Sequence, residues 1–139
     1  MARAIFLAAL IPLCAACGGW HNDEEKDSQL VDIVIQKIID MHNIVDDDKR
    51  ADEAEYVDSL IGKNFTSIDK KQAVAELKKY LSDKNDAVVY WTAMSLSQFG
   101  KDAKPALPKL KEVLKIKEKL IGSKTSASGI RLAISRIED

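Results

Sequence analysis

Apolar residues between positions 85 and 115 recur at intervals of three and four, in two stripes separated by a glycine. This spacing places the members of each stripe on one face of an amphipathic helix. The first stripe comprises Val89, Ala93, Leu96 and Phe99, and the second comprises Leu107, Leu110, Val113 and Leu114. Neither helix can bury its stripe alone, so the pattern predicts helices stacked against neighbouring helices.

Three residues are expected to mark the ends of these two helices. Asp86 is of the type that caps a helix N-terminus, because its carboxylate can accept the unpaired N–H groups of the first turn. Gly100 is expected just past the end of the first helix, where a left-handed backbone conformation suits glycine. Pro105 fits the first turn of the second helix, since its missing N–H would have no partner there.

The pattern extends over the rest of the chain after residue 27. Residues 28–45 carry β-branched residues that would also suit a strand, but the helical spacing continues through them and favours a helix. The three aspartates at 46–48 are interpreted as a break. A second helix is expected to end at Gly62, and a third begins with the capping-box-like pair Asp69 and Gln72. The additional predicted helices cover 28–45, 51–61, 69–81 and 124–137.

The stretch from 85 to 115 resembles one HEAT repeat, and a shift of 38 residues aligns the end of its first helix with residues 61–62. The matching residues are Val89, Ala93, Leu96, Gly100, Ala103, Ala106, Leu107, Pro108 and Leu110. Tyr90 stands where the family pattern has arginine, so no role of that arginine is carried over. The resemblance implies an all-α fold, a short right-handed solenoid of about five to six helices in HEAT-type pairs. It also implies that the second helix of each pair lines a concave side that binds a protein.

The N-terminus has the features of a secretory signal peptide. A short basic start precedes an apolar run that is too short to span a bilayer. Ala15-Ala16-Cys17 resembles the end of a bacterial lipobox, in which Cys17 becomes the lipidated first residue, although Cys14 departs from that motif. Ordinary cleavage after Ala16 is the alternative. We therefore expect export to the periplasm or cell envelope with a membrane anchor at Cys17, and a signal peptide at 1–16, a flexible polar leash at 17–27 and a helical repeat domain at 28–139.

Candidate catalytic and metal-binding groups are sparse. His21 and His42 have no second histidine or cysteine at metal-ligand spacing, so no metal site is expected. The aspartates at 46–48 lack the alternate spacing of a calcium loop and fit a solvated turn better. The sequence has no nucleophile motif and no phosphate-binding glycine loop. We therefore expect no enzyme activity, no cofactor and no small-molecule substrate.

Charge is segregated along the chain although its net charge is only −1. Residues 20–60 carry a net charge of −9, whereas residues 61–139 carry +7. One interpretation is a solvated helix surface. The other is a bipolar molecule whose acidic end steers a basic partner toward it. Acidic residues interrupt the lysines, so the sequence disfavours nucleic acid as a partner.

Residues at outward helix positions are the candidate contacts with a protein partner. Tyr90 and Trp91 lie off the apolar stripe, where an aromatic pair is typical of an interface anchor, but packing of Trp91 against a neighbouring helix is an equal alternative. Tyr56 borders the acidic helix. The remaining candidates fall on the second helices, which the resemblance places on the concave side: Glu76, Lys79, Tyr80, Lys109 and Glu112.

Together these features predict a non-catalytic protein-binding module in the bacterial cell envelope. The most specific hypothesis is a stoichiometric inhibitor or immunity protein for a secreted toxin, based on the small domain, the export signal and the uneven charge. An envelope scaffold or assembly lipoprotein is the alternative, although the small number of repeats speaks mildly against it.

Overall fold

The computed structural model describes residues 33–120 and 124–139. The predicted signal peptide, Cys17 and the leash lie outside the described residues. Helix α1 covers residues 33–40 and runs into a short 3-10 turn, Met41–Asn43. The other helices are α2 (Asp47–Asn64), α3 (Lys70–Tyr80), α4 (Asp86–Gln98), α5 (Leu107–Lys117) and α6 (Lys124–Glu138), with a 3-10 segment, Gly100–Ala106, between α4 and α5.

The helices form a short all-α solenoid, as the sequence predicted. Helix α4 packs against both α2 and α6, so these three helices form one layer. Helix α3 packs against α4 and the 3-10 segment, and α5 packs against α6 and the same segment. In chain order, the described residues comprise a leading helix, the successive pairs α2–α3 and α4–α5, and a closing helix, and contacts of α3 with α4 and of α5 with α6 join the two layers.

The predicted apolar stripes form the core between these layers. Ile61, Leu77, Leu96, Leu110 and Ile137 are fully or almost fully buried. Burying an aliphatic side chain of this size contributes about 1.5–3 kcal/mol to folding. The core therefore supplies the main stabilising contribution, as expected for helices that cannot bury their apolar faces separately.

Among the described residues, no helix has both the length and the apolar composition that a membrane span requires.

Helix α2 is longer than predicted at both ends. The predicted break between the first two helices lies at residues 44–46, slightly earlier than expected, and Asp46 caps α2 by accepting hydrogen bonds from the N–H groups of Asp48 and Lys49. Asp47 and Asp48 lie in the first turn, where negative charge is favourable. The helix also continues past Gly62 to Asn64, because the Gly62 backbone remains helical.

The predicted ends of α3, α4 and α5 are confirmed only in part. Asp69 caps α3, and Gly100 has the expected positive φ of 51° after α4. The cap of α4, however, is Asn85, whose side chain accepts from the N–H of Ala87. Helix α5 does not open at Pro105, which lies inside the 3-10 segment. It begins at Leu107 with Pro108 in its first turn, where the missing N–H has no cost.

Polar side chains connect helices that lie one repeat apart. Gln98 of α4 donates to the Asp58 carboxylate of α2 at 2.6 Å, 40 residues away. Asp86 of α4 accepts from the Ser126 hydroxyl of α6 at 2.5 Å, again 40 residues away, and from Lys117 at 2.9 Å. Burial raises the pKa of Asp86, but these hydrogen bonds outweigh it and hold the pKa below its ordinary value. Side-chain hydrogen bonds between residues 40 positions apart therefore connect α2 to α4 and α4 to α6.

Candidate functional site

A continuous groove runs between α3, the 3-10 segment and α5. Three adjoining depressions form it, and neighbouring depressions share lining residues. The first and second share Lys78 and Pro105, and the second and third share Ser82, Lys109 and Glu112. We call this surface the α3–α5 groove. It lies on the second helices of the two pairs.

The groove exists because the 3-10 segment separates its two helices. Gly100 turns the chain with a positive φ, and the segment then places Ala103 and Ala106 in the core. Helices α3 and α5 both contact this segment, and α3 also packs against α4 and α5 against α6, rather than against each other. Pro105, exposed on the segment, forms part of the groove wall. The 3-10 segment thus leaves a recess between α3 and α5 on an otherwise packed surface.

The groove has an excess of positive charge. Its lining includes three acidic residues, and each has a partner in the chain: Asp102 pairs with Lys70 at 3.1 Å, Glu112 pairs with Lys109 at 3.2 Å, and Asp83 pairs with Arg50 outside the groove. Seven lysines line it, namely Lys70, Lys71, Lys78, Lys79, Lys84, Lys109 and Lys117. Five of these lysines form ion pairs, so the groove presents chiefly the ammonium groups of Lys71 and Lys78, which have no such pair among the described residues.

Apolar groups lie between these cations. At one end, the depression contains Val74, Ala75 and Pro105. At the other end, Ile116 and Leu120 are 51% and 52% exposed, although both are large and apolar. A surface that combines exposed apolar groups with charged margins has the composition of a protein-binding site.

Four of the predicted contact residues lie in or beside this groove. Lys79, Lys109 and Glu112 line it, and Glu76 forms an ion pair with Lys79 at 2.6 Å. Sequence reasoning missed Lys71, Lys78 and Pro105 as lining residues. A seven-residue interval separates Lys71 from Lys78 and places both on one face of α3, so the spacing alone could have identified the two lysines.

The prediction that Tyr80 occupies an outward position is wrong. Its side chain is only 3% exposed, and its hydroxyl donates to the backbone carbonyl of Ile38 in α1. The ring of His42 stacks on it with 4.4 Å between centroids. Burial raises the pKa of the Tyr80 hydroxyl above its ordinary value. Tyr80 therefore joins α1 to α3 and cannot present its ring to a partner, because the leading segment covers the end of α3.

The other predicted aromatic contacts lie outside the groove lining. Tyr90 and Trp91 are both partly buried and meet edge to face at 5.0 Å. Trp91 packs against the core, as in the second of its two interpretations, and the Tyr90 ring lies against Gly129 of α6. Tyr56 is 47% exposed beneath the ammonium group of Lys37. The structure does not bring these three aromatic residues together with the groove.

Lys37 of α1 contacts both Tyr56 and Glu53 of α2. Its ammonium group donates to Glu53 at 2.8 Å, and this hydrogen bond raises the pKa of Lys37.

Within residues 33–120 and 124–139, no group of three or more His, Cys, Asp or Glu side chains could hold a metal ion.

Comparison with known proteins identifies one related family model. A model described as HEAT repeats matches residues 46–123, which is more than half of the chain. The match begins at the residue that caps α2 and extends beyond α5, so it includes both helices that border the groove. No curated protein and no solved structure matches the chain.

Proposed function

Because the chain belongs to the HEAT-repeat family, we propose that it is a non-catalytic module that binds one protein partner in the α3–α5 groove. HEAT repeats generally mediate protein–protein interaction, and the family is typically a non-catalytic scaffold. Stacked helix pairs of this kind offer extended surfaces for a partner.

The observation that carries the proposal is the coincidence of charge and exposed apolar surface in this groove. At one end of the groove, Ile116 and Leu120 each leave about half of their surface in water. At the other end lie Lys71 and Lys78, which form no ion pair with another described residue. A protein partner would cover the apolar surface and neutralise the cations in one contact. A single partner bound in this groove would form a one-to-one complex.

In its finer form, the proposal is an inhibitor or immunity protein that binds a secreted toxin in the bacterial cell envelope. The basis is the small domain, the signal-like segment at 1–16 and the uneven charge distribution. Cys17 would carry the lipid anchor and keep the domain at the membrane. An envelope scaffold or assembly lipoprotein would use the same groove for a component of a larger complex.

A groove-blocking variant tests the binding function. Ala75 is exposed in the groove, so Ala75→Trp places a large ring there without disturbing the core. Ser59→Trp, at an exposed position on α2 outside the groove, is the matched control. Residues 17–139 of each variant are used for affinity capture from the cells of origin and from competing strains. We expect the wild type and Ser59→Trp to retain a partner that Ala75→Trp loses.

The size of the captured complex separates the two finer forms. A one-to-one complex in gel filtration that suppresses a toxin's activity supports the inhibitor, whereas co-purification with a larger membrane assembly supports the scaffold. Equal capture by all three proteins would show that the groove is not the binding site.

The membrane anchor has a separate test. Cys17→Ser removes the only thiol that lipidation at this position can use, so we expect the variant protein to leave the membrane fraction. An unchanged membrane fraction would contradict lipidation at Cys17.

A further inference from the structure

Lys71 and Lys78 are exposed in the groove and have no ion-pair partner within the described part of the chain. Their neighbours differ in this respect. Lys70 pairs with Asp102 at 3.1 Å and also lies over the Phe65 ring, 4.4 Å from its centroid. The acidic residue of this end of the groove is thus already neutralised, and the two remaining ammonium groups are available to a ligand.

The spacing of these two lysines defines what they can hold. They lie seven residues apart on α3, which is two helical turns or about 10 Å along the axis. Val74 and Ala75 lie between them on the same face of the helix, and Pro105 faces them from the 3-10 segment. The site therefore consists of a small apolar recess with one lysine on each side.

We infer that this end of the groove recognises an acidic protein segment with two carboxylates about 10 Å apart and an apolar side chain between them. In a partner helix, carboxylates at positions i and i+7 have this separation and lie on the same face, with positions i+3 and i+4 between them. The inference rests on the proposed function, because it specifies the chemistry of the partner in the same groove.

Charge and shape favour this occupant over others. A basic segment would be repelled by Lys71 and Lys78, which lack a neutralising group among the described residues, whereas the other five lysines of the groove are ion-paired. Nucleic acid requires a continuous basic surface, and here Asp83, Asp102 and Glu112 interrupt the lysines. A bilayer surface is broad and flat, whereas the apolar groups of this site lie in a recess between α3 and Pro105.

Defined peptides test the inference without knowledge of the natural partner. The probe is a fluorescent peptide of about 15 residues, long enough to span α3, with two glutamates seven positions apart and a leucine midway. A second peptide has glutamine in place of glutamate, and a third has lysine. Fluorescence anisotropy with the full chain at low salt measures the affinities. We expect only the glutamate peptide to bind, with affinity that falls as salt is added.

Variants of the chain identify the site of binding. Lys71→Glu/Lys78→Glu should weaken binding of the glutamate peptide about tenfold or more, because two attractions become repulsions. Lys63→Glu/Lys115→Glu makes the same change of net charge at exposed positions outside the groove and should leave the affinity within about twofold. The substituted side chains are exposed, and thermal melting checks that both variants fold. The doubly reversed variant should instead bind the lysine peptide.

Several results would overturn the inference. These are equal binding of the glutamate and glutamine peptides, equal loss in both charge-reversal variants, or failure of the reversed variant to bind the lysine peptide. Tighter, Lys71- and Lys78-dependent binding of phosphatidylglycerol vesicles or of a single-stranded oligonucleotide would assign the site to a different ligand. If a natural partner is captured by wild type and by Lys71→Glu/Lys78→Glu alike, the proposed function stands and the inference fails. If the peptides bind as expected but no protein is captured from any strain, the proposed function fails separately.

Discussion

Arg50 is the buried cation that joins three segments of the chain, and its removal gives the sharpest test of the fold's polar contacts. The residue is 7% exposed. Its guanidinium donates to both carboxylate oxygens of Asp83, at 2.8 and 3.1 Å, to the carbonyl of Ile44 at 2.7 Å and to Asp47 at 2.6 Å. These bonds raise the pKa of Arg50 further above its ordinary value, so it remains charged at every accessible pH.

The expected cost of Arg50→Met follows from what each partner loses. The side chain of Asp83 is 12% exposed, so without Arg50 its carboxylate would be a nearly buried charge with no cation beside it. Removing one partner of a buried ion pair typically costs about 3–5 kcal/mol. Asp47 is 39% exposed and retains Lys84 at 3.0 Å, so it adds little. Methionine also preserves much of the apolar packing of the arginine stem. We therefore expect a loss near the lower limit, about 3 kcal/mol.

Urea denaturation followed by far-ultraviolet circular dichroism measures this loss, which corresponds to a fall in melting temperature of about 10 °C. Lys49→Met is the matched control: it removes the same charge from a neighbouring residue that is 78% exposed, and should change stability by less than about 0.5 kcal/mol. Adding Asp83→Asn to Arg50→Met should recover part of the loss, because the uncompensated carboxylate is then absent. A loss below about 1 kcal/mol for Arg50→Met, or no recovery in the double variant, would refute this reasoning.

Three further predictions concern buried contacts of α2, α4 and α6, each measured by thermal or chemical unfolding. Gly129→Ala should destabilise the protein by about 1–2 kcal/mol, because the new Cβ would lie 2.7 Å from a tyrosine ring of α4. Gly62→Ala is the control: its Cβ would meet only the flexible end of a glutamine side chain at 3.1 Å, so this change should be neutral or stabilising. Burial raises the pKa of Asp58, so its ionisation costs stability as pH rises from its ordinary unfolded pKa through the higher folded value. Asp58→Asn should thus raise the melting temperature at pH 7 but not at pH 3, where the carboxyl is protonated in both states. Asp52→Asn, at an exposed position, should leave the melting temperature unchanged at both pH values. Thr92→Val should stabilise by about 1 kcal/mol, since the 1% exposed hydroxyl has no hydrogen-bond partner within the described residues; a loss of stability would contradict this.

The apolar spacing predicted the helices and most of the core because burial of an amphipathic face depends on periodicity alone. Leu96 and Leu110 are fully buried, and Gly100 has the left-handed conformation that its position indicated. Helix ends were less predictable, because neighbouring residues can compete for the same role. Asn85 and Asp86 are both good caps; Asn85 takes this role, and the Asp86 carboxylate instead accepts from Ser126, 40 residues further along the chain.

The candidate site was predicted only in part, because its shape depends on contacts that the periodicity does not encode. Lys79, Lys109 and Glu112 were recognised from their outward positions on the second helices. Tyr80 was misjudged by the same rule, since α1 covers the end of α3 and buries the ring. Gly129 lies within α6, where glycine is unfavourable for a helix, yet its absent side chain makes room for a tyrosine ring of α4.

The 3-10 segment gives a physical reason why the groove lies where it does. Helices α2, α4 and α6 lie against one another, and polar residues such as Asp58 and Asp86 are bound across that layer to the next repeat. On the other side, α3 and α5 contact the 3-10 segment, whose short alanines fill the core without bringing the two helices together. The lysines of α3 therefore face a recess in which the few acidic groups are already paired. An insertion that lengthened this segment would widen the groove and leave the packing of the first layer largely unchanged, so the site can vary independently of the fold.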